Sequence, residues 1–380
     1  MNTIEGRSFD FEPEVLHSVA GGQSVIDSPK LHIHTVAAAE SFISTYGYSL
    51  SIPSDEEELW QFHRRAIVLM VEKLGFAEAD IPEIVRDQKC LKDLRHLLVY
   101  ASRNPRTAED EMIQRWSCAV LRCMHVFVHS ENDLFSSFSE EIQKQILTPF
   151  EDAVVQTAED ESVRLVGKTT GETVNLASFQ VKPFKTSISS VIKLLAKPDA
   201  VAMKVFDKLG VRFVTKSIFD SFRVIQFLVN ENLMSFPHIM PDQSSNTIYP
   251  VDLFLRICEK LRAEGKTCSD EDLESRFLEE LAKNEQEIKY LRKHNDFSAV
   301  DYQFIKFISR KLVKVEREGK EPFAFFYPYE VQILDQKSYL KTVEGPSEHE
   351  AYKERQRLAA RKRLFPDREE MADPARKVST

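Results

Sequence analysis

The chain has 380 residues, of which 42% are hydrophobic, and it carries a formal net charge of −9. This composition excludes a fibrous or disordered chain, and the acidic balance argues against a protein that coats nucleic acid through a broad basic surface. Five cysteines without a CxxC pair predict neither a disulfide framework nor a zinc ribbon, so a reducing compartment fits best.

Neither a signal peptide nor a membrane span is predicted. The first 15 residues are acidic and lack a charged segment followed by an apolar run. No stretch approaches the roughly 20 apolar residues needed to cross a bilayer. We therefore expect a soluble, cytoplasmic protein without a membrane partner.

The first part of the chain is predicted to be an arm followed by a helical domain. Residues 1–30 are polar and punctuated by Gly and Pro, which is typical of a flexible arm. Apolar positions then recur at helical spacing, and the predicted helices cover residues 36–46, 57–74, 81–87, 89–100, 108–129 and 139–150. We expect this domain, 31–156, to support the rest of the chain or to bind a partner.

Two histidines in the last long helix of this domain have metal-ligand spacing. His125 and His129 are one helical turn apart, which is a metal-site geometry in some enzymes. No Glu lies beside His125, and the residues between the two histidines are apolar. A pair of core histidines is therefore the favoured interpretation.

After the helical domain, the sequence predicts a β-hairpin followed by a helix. Residues 161–184 predict a β-hairpin that turns at 169–171. The overlapping segment 180–197, QVKPFKTSISSVIKLLAK, opens a helix with interleaved Thr, Ser and Lys. Such a segment can direct backbone N–H groups, hydroxyls and ammonium groups at phosphate oxygens. An ordinary Ser/Thr N-cap followed by a solvated lysine face is the competing, commoner interpretation.

Residues 204–230 predict a loop, a strand, a turn and a helix in that order. An apolar, β-branched run follows Asp207 and Gly210, and a helical pattern follows Asp220. Asp207 is therefore expected at the edge of a strand, where an acid can reach a metal.

The remainder of the domain adds helices and a second hairpin. Helical spacing covers 251–263 and 271–292, and a long strand ends at a turn over 318–320. The returning strand, PFAFFYPYEVQIL, contains Glu330. An acid in so apolar a strand is costly to bury unless it faces a cleft or a cation, so Glu330 is a candidate functional residue.

Several segments between about residues 180 and 355 occur in the same order as the motifs of the RelA/SpoT synthetase domain and resemble them. The proteins of that family are ATP-dependent pyrophosphokinases that make the alarmone (p)ppGpp. The family motifs are Lys with Ser-Ile-x-x-Lys, Asp-x-x-Gly-Val-Arg, Tyr-Gln, Glu-Ile-Gln-Ile, and a downstream His. The matching residues are Lys185, Ser189 and Lys193; Asp207, Gly210 and Arg212; Tyr302 and Gln303; Glu330 and Gln332; and His349.

The resemblance implies the fold class. We expect an α+β protein in which the N-terminal helical domain is followed by a mixed β-sheet flanked by helices, as in nucleotidyltransferase-like folds. The synthetase-like domain would span 157–355 with a helical insertion at about 251–292, whose acidic surface suits a lid or a partner face. Residues 356–380 are expected to form a basic, flexible tail.

The resemblance also implies the chemistry and its residues. Pyrophosphate would pass from ATP to the 3′-hydroxyl of a guanine nucleotide, with Mg²⁺ held by Asp207 and with Glu330 as second ligand or general base. The implied nucleotide-binding residues are Lys185, Ser189, Lys193 and Arg212 for the ATP phosphates, Tyr302 for the acceptor base, and Gln332 and His349 from the matched motifs. A tyrosine packed as an ordinary strand residue is the alternative for Tyr302.

Departures from the family pattern leave two other functions open. Pro183 replaces a family Arg, Lys306 replaces the family His, and Leu334 and Asp335 replace an Arg-Thr pair. The altered acceptor motif and the basic tail are compatible with transfer to the 3′ end of tRNA. The lost residues are compatible with a degenerate domain that binds a nucleotide or a protein partner without turnover.

Overall fold

The computed structural model describes most of the chain, namely residues 12–131, 134–157, 162–182, 187–197, 208–265, 269–284, 290–291, 303–317, 320–343 and 349–366. The chain divides into two compact units. We call the first the helical unit; it takes the described parts of 1–132, 187–204 and 354–380. The second, the sheet unit, takes those of 133–186 and 205–353.

Most of the predicted helices and strands are present, whereas α1, β1 and α13 were not predicted and the predicted helix 271–292 is described only as α12. The helices are α1 Pro13–Val19, α2 Val36–Tyr46, α3 Pro53–Val68 with a π-helical continuation Leu69–Lys73, α4 Glu83–Arg86, α5 Gln88–Leu91, α6 Arg95–Ala101, α7 Ala108–Glu131, α8 Leu134–Glu151, α9 Ser187–Ala196, α10 Ile218–Asn230, α11 Val251–Glu264, α12 Asp270–Lys283, α13 Gln336–Val343 and α14 His349–Leu364. The strands are β1 Val154–Gln156, β2 Val163–Val166, β3 Thr173–Lys182, β4 Gly210–Thr215, β5 Ser245–Asn246, β6 Ile305–Arg317 and β7 Lys320–Asp335.

The helical unit has an aromatic core that includes the C-terminal end of α14. Trp116 of α7 makes edge-on contacts with Phe76 and Phe365, with ring centroids 5.5 and 4.7 Å away. Arg361 donates to the carbonyl of Leu74, and its guanidinium lies 4.1 Å from the centre of the Phe76 ring. These contacts bury Phe365 almost completely. The prediction of a flexible tail is therefore wrong for residues 356–366.

A second arginine of α14 binds the end of another helix. Arg363 donates to the carbonyls of Leu194 and Leu195 in the last turn of α9 and of Lys197 just after it, each at 3.1 Å. A cation at this position satisfies terminal carbonyls and complements the negative end of the helix dipole. Arg363 also pairs with Asp27. Arg361 and Arg363 thus stabilise the helical unit through these contacts, and they do not belong to a solvated basic helix face.

Within the described residues, the sheet unit contains one seven-stranded mixed sheet in the order β1-β2-β3-β4-β7-β6-β5. β4 and β7 pair in parallel, and the other neighbours are antiparallel. One face of the sheet is apolar and packs with α8 and α10 into a common core. Its central residues are Val211, Phe213, Ile305, Phe307, Val331 and Ile333. The predicted α+β class with a mixed sheet is confirmed.

The strand and helix at 210–230 form for local reasons. β4 reads GVRFVT, in which β-branched and aromatic side chains suit a buried strand. Ser217 ends the turn as the N-cap of α10, and its hydroxyl accepts from the backbone N–H of Asp220. The helix therefore begins at Ile218, with Asp220 in its first turn, where a negative charge is favourable.

The predicted insertion is packed against α10. Phe254 of α11 stacks on Phe222 at 4.0 Å between ring centroids, and it lies 5.3 Å from Phe277 of α12, nearly parallel to it. Glu274 of α12 accepts from the first backbone N–H of α10, that of Ile218, at 3.1 Å. The inner faces of α11 and α12 thus belong to the core of the sheet unit, while their outer faces are exposed and charged. Among the described helices, none is both long enough and apolar enough to cross a membrane.

Candidate functional site

The second face of the sheet carries the candidate site. Because side chains alternate along a strand, the residues between the apolar positions point to this opposite face. Two rows run across the four central strands: Gln180, Arg212, Gln332 and Lys306 form one, and Lys182, Gly210, Glu330 and Ile308 form the next. Polar and charged side chains therefore meet where β4 and β7 lie side by side.

Glu330 is the buried acid of this face. It is 4% exposed, and its Oε1 accepts from the Nζ of Lys182 on β3. The Nζ of Lys306 on β6 lies 3.8 Å from Oε2. A buried carboxylate is tolerated only when cations or hydrogen-bond donors offset its lost hydration, and two ammonium groups from flanking strands do so here.

Gly210 permits the close approach of β4 to Glu330. A Cβ added at this glycine would lie 2.5 Å from the backbone oxygen of Glu330 and 3.1 Å from its Cβ. Both atoms belong to the neighbouring strand, so neither can rotate away. Packing therefore requires a glycine at this position of the Asp-x-x-Gly motif, because any side chain would push the two parallel strands apart.

The adjacent row forms a hydrogen-bonded chain. Arg212 donates through Nε to Oε1 of Gln332 at 3.0 Å and through a terminal nitrogen to Oε1 of Gln180 at 3.4 Å. Gln180 in turn donates to the hydroxyl of Tyr339 on α13 at 2.7 Å. This network fixes the plane of the guanidinium beside the Glu330 cluster, and planar, oriented guanidinium groups suit phosphate or carboxylate oxygens.

The structure brings three of the predicted site residues together. Glu330, Gln332 and Arg212 share the polar face of the central strands. Ser189 and Lys193 lie on α9, which belongs to the helical unit; Ser189 is exposed and Lys193 is half-buried. His349 is the first residue of α14, and its side chain lies outside the described residues. The predictions for Asp207, Lys185 and Tyr302 also fall outside the described residues.

The sequence analysis did not identify Lys182 as a site residue, and it noted Lys306 only as the replacement of a family histidine. Lys182 ends the alternating segment SFQVK, in which Ser178, Gln180 and Lys182 share one face and Phe179 and Val181 share the other. That period-2 pattern was the available signal. The partner of Lys182 lies 148 residues further along the chain, so no local pattern could identify it.

The two histidines of α7 contact each other, but His125 is only partly buried and His129 is exposed, so the interpretation as a pair of core histidines is wrong for His129. The rings of His125 and His129 are 4.4 Å apart, and Nδ1 of His125 lies 2.6 Å from the hydroxyl of Tyr46. Burial, with His129 as a lesser cause, lowers the pKa of His125 to about 4. Among the described residues, the group with three metal-ligating side chains in reach of one another is Glu83, Asp87 and Cys90, and it does not include either histidine.

Comparison with known proteins does not identify the chain: no family model and no curated protein is significantly similar to it. The properties of the site therefore rest on its own residues and geometry.

Proposed function

We propose that the sheet unit is a RelA/SpoT-like nucleotide pyrophosphokinase of nucleotidyltransferase-like fold, which transfers pyrophosphate from ATP to the 3′-hydroxyl of a guanine nucleotide. The observation that carries the proposal is the arrangement of Lys182 and Lys306 around Glu330, with Arg212 in the adjacent row, where β4 and β7 pair in parallel. Among the described residues, three cations and one carboxylate lie close together at this point of the polar face. Such a surface suits the polyphosphate of ATP, and preorganised cations stabilise charge that develops in phosphoryl transfer.

In this proposal Glu330 is a positioning residue. Its two carboxylate oxygens already face the ammonium groups of Lys182 and Lys306, so it orients these groups towards a bound phosphate. This differs from the role of general base, which needs a carboxylate oxygen within hydrogen-bond reach of the acceptor hydroxyl. Arg212, held in its plane by Gln180 and Gln332, supplies the bidentate contact to phosphate oxygens.

The described residues of the polar face do not form a Mg²⁺ site by themselves. Mg²⁺ is bound in such enzymes through one or two carboxylates together with substrate phosphates. The described part of the polar face offers the carboxylate of Glu330, and two ammonium groups beside it oppose a divalent cation. The proposal therefore assigns the metal to Asp207, three residues before Gly210, on the strength of the sequence resemblance alone.

The direct test is transfer of label from γ-labelled ATP, with Mg²⁺, to GDP, GTP or tRNA. We expect labelled guanine nucleotide with the unaltered chain and none with Asp207→Asn. Lys182→Met should lower kcat/KM at least about tenfold, the loss of one oriented cation. Lys314→Met is the matched control, because Lys314 is an exposed lysine of β6 outside the cluster.

Two results would contradict the proposal. One is the absence of labelled product with every acceptor, and the other is full activity of Asp207→Asn. Titration calorimetry with ATP and guanine nucleotides then separates the remaining possibilities, since binding without turnover supports a degenerate nucleotide-binding domain.

A specific feature favours RNA, such as the 3′ end of tRNA, as a second candidate acceptor. The β6–β7 hairpin continues the polar face beyond Glu330 and carries an exposed ring, Phe326, on that same face. The guanidinium of Arg310 lies 5.5 Å from the centre of this ring, and the His238 ring lies 5.1 Å from it. Phe326 is four residues from Glu330, or about 13 Å along the strand. A base that stacks on such a ring contributes roughly 1–3 kcal/mol.

Acceptor competition distinguishes the two candidates. If RNA is the acceptor, Phe326→Ala should weaken labelling of tRNA about tenfold and leave labelling of GDP unchanged, because only the longer acceptor reaches Phe326. Equal effects on both acceptors would remove the argument for RNA.

A further inference from the structure

The helical unit contains a cavity of about 180 Å³. Its walls come from the N-terminal strap, which we define as residues 25–31, and from α2, α3, α6 and α7. Close-packed interiors seldom keep voids much larger than a water molecule. An engineered apolar cavity of about 150 Å³ is large enough to bind benzene, so this one has room for a single ring or a short alkyl chain.

The walls are apolar over most of their area. Leucine, isoleucine, valine, methionine and phenylalanine side chains predominate, as with Ile43, Leu98 and Met124. Phe42 and Val25 are 41% and 46% exposed, so the cavity opens to solvent beside them. A ligand with an apolar body can therefore enter without the unfolding of the unit.

The charges around the cavity have one sign. Among the described residues that line it, Lys30 and Arg122 are basic, and none is acidic. Tyr46 and His125 also line it, but their hydroxyl and Nδ1 are engaged with each other at 2.6 Å. The lowered pKa of His125 keeps that ring neutral near pH 7.

Arg122 lacks a neutralising carboxylate among the described residues. It is only 9% exposed, and it donates to the carbonyls of Ser28 at 2.6 Å and Leu364 at 2.8 Å. The carboxylate of Asp27 interacts electrostatically with Arg122, but both oxygens of that carboxylate accept hydrogen bonds from Arg363. A buried cation with neutral acceptors is an unusual feature, since buried charges are normally paired.

We propose that this cavity binds a small monocarboxylate whose body is one ring or a short alkyl chain. The apolar body fills the void, and the carboxylate supplies the counter-charge at Arg122. The inference concerns the helical unit alone and does not depend on the function proposed for the sheet unit.

The test is calorimetric titration of the full-length protein with octanoate, octan-1-ol and acetate. We expect octanoate to bind at least tenfold more tightly than octan-1-ol, because only octanoate carries the charge, and acetate not to bind, because it lacks the apolar body. Equal affinity for octanoate and octan-1-ol, or no binding of octanoate at millimolar concentration, would overturn the proposal.

Two variants locate the site. Arg122→Met should lower octanoate affinity at least tenfold and leave octan-1-ol affinity within twofold. Cys118→Leu, which adds volume to the wall from α7, should abolish binding of both. Arg64→Met is the control, because Arg64 is an exposed residue of α3 outside the cavity. Unchanged octanoate affinity in Cys118→Leu, or in a folded Arg122→Met variant, would show that the ligand binds elsewhere and contradict the proposal.

Discussion

The two units bury charge in opposite ways. In the sheet unit, Glu330 is an acid whose partners are charged side chains, the ammonium groups of Lys182 and Lys306. In the helical unit, Arg122 is a base whose partners are neutral backbone carbonyls. The first arrangement orients two cations through one carboxylate, whereas the second leaves a positive charge that an anion can neutralise. Each therefore indicates an anionic ligand, but the cations of the sheet unit are held by a carboxylate and that of the helical unit by backbone carbonyls.

The comparison is tested most strongly by removing the charge of Glu330. Glu330→Gln keeps the shape of the side chain but removes the buried carboxylate charge that faces the ammonium groups of Lys182 and Lys306, so we expect the free energy of unfolding to fall by about 3 kcal/mol. Urea denaturation measures this change. Glu316→Gln, which alters an exposed acid of β6, should change stability by less than about 0.5 kcal/mol. A loss in Glu330→Gln no larger than that of the control would mean that the cluster contributes little to stability.

Gly210→Ala tests the close approach of β4 and β7. The added methyl group would meet the backbone of Glu330, so we expect a loss of about 2 kcal/mol from strain in the sheet. The same denaturation measurement applies. Because the strain displaces Glu330, pyrophosphate transfer should fall as well, and an alanine variant as stable and active as the parent would contradict the packing argument.

Acid should weaken the helical unit through His125. Its pKa is about 4 in the folded chain and near 6.5 when unfolded, so between these values the unfolded state binds the proton and the folded state does not. The free energy of unfolding therefore falls as the pH drops from about 6.5 to about 4, by an amount on the order of 2 kcal/mol.

His125→Gln keeps an acceptor for Tyr46 but cannot titrate. We expect the loss of stability between pH 7 and pH 4.5 to be smaller in this variant than in the parent, as measured by urea denaturation at both pH values. The histidines that do not contact His125 are common to both proteins, so their contribution cancels. The same acid-induced loss in both would show that His125 titrates normally in the fold.

Arg122→Met should have the smallest effect on stability. It removes two hydrogen bonds to carbonyls but also removes a buried charge that lacks a neutralising partner, so the opposing effects leave a net loss of about 1 kcal/mol. A loss as large as that of Glu330→Gln would erase the distinction between the two units. Arg64→Met, on the exposed face of α3, should stay within about 0.5 kcal/mol of the parent.

Much of the local structure was predictable because its causes are local. The predicted strand and helix around Gly210 and Asp220 correspond to β4 and α10, and the predicted long strand and returning strand correspond to β6 and β7. Periodicity identifies such elements since each buries one face. The same reasoning failed at the C-terminus: residues 356–366 are rich in basic side chains, yet Arg361 and Phe365 are buried by contacts with residues far away in the sequence.

Glu330 was identified from sequence because an acid inside an apolar strand is costly wherever the strand lies. Its partners were decided only by the tertiary structure. Lys182 reaches Glu330 through the pairing of β3 with β4 and of β4 with β7, and strand order is set by the burial of whole faces, which no segment encodes alone. The cavity beside Arg122 has the same origin, because its walls come from five separate segments that meet only when the helical unit folds.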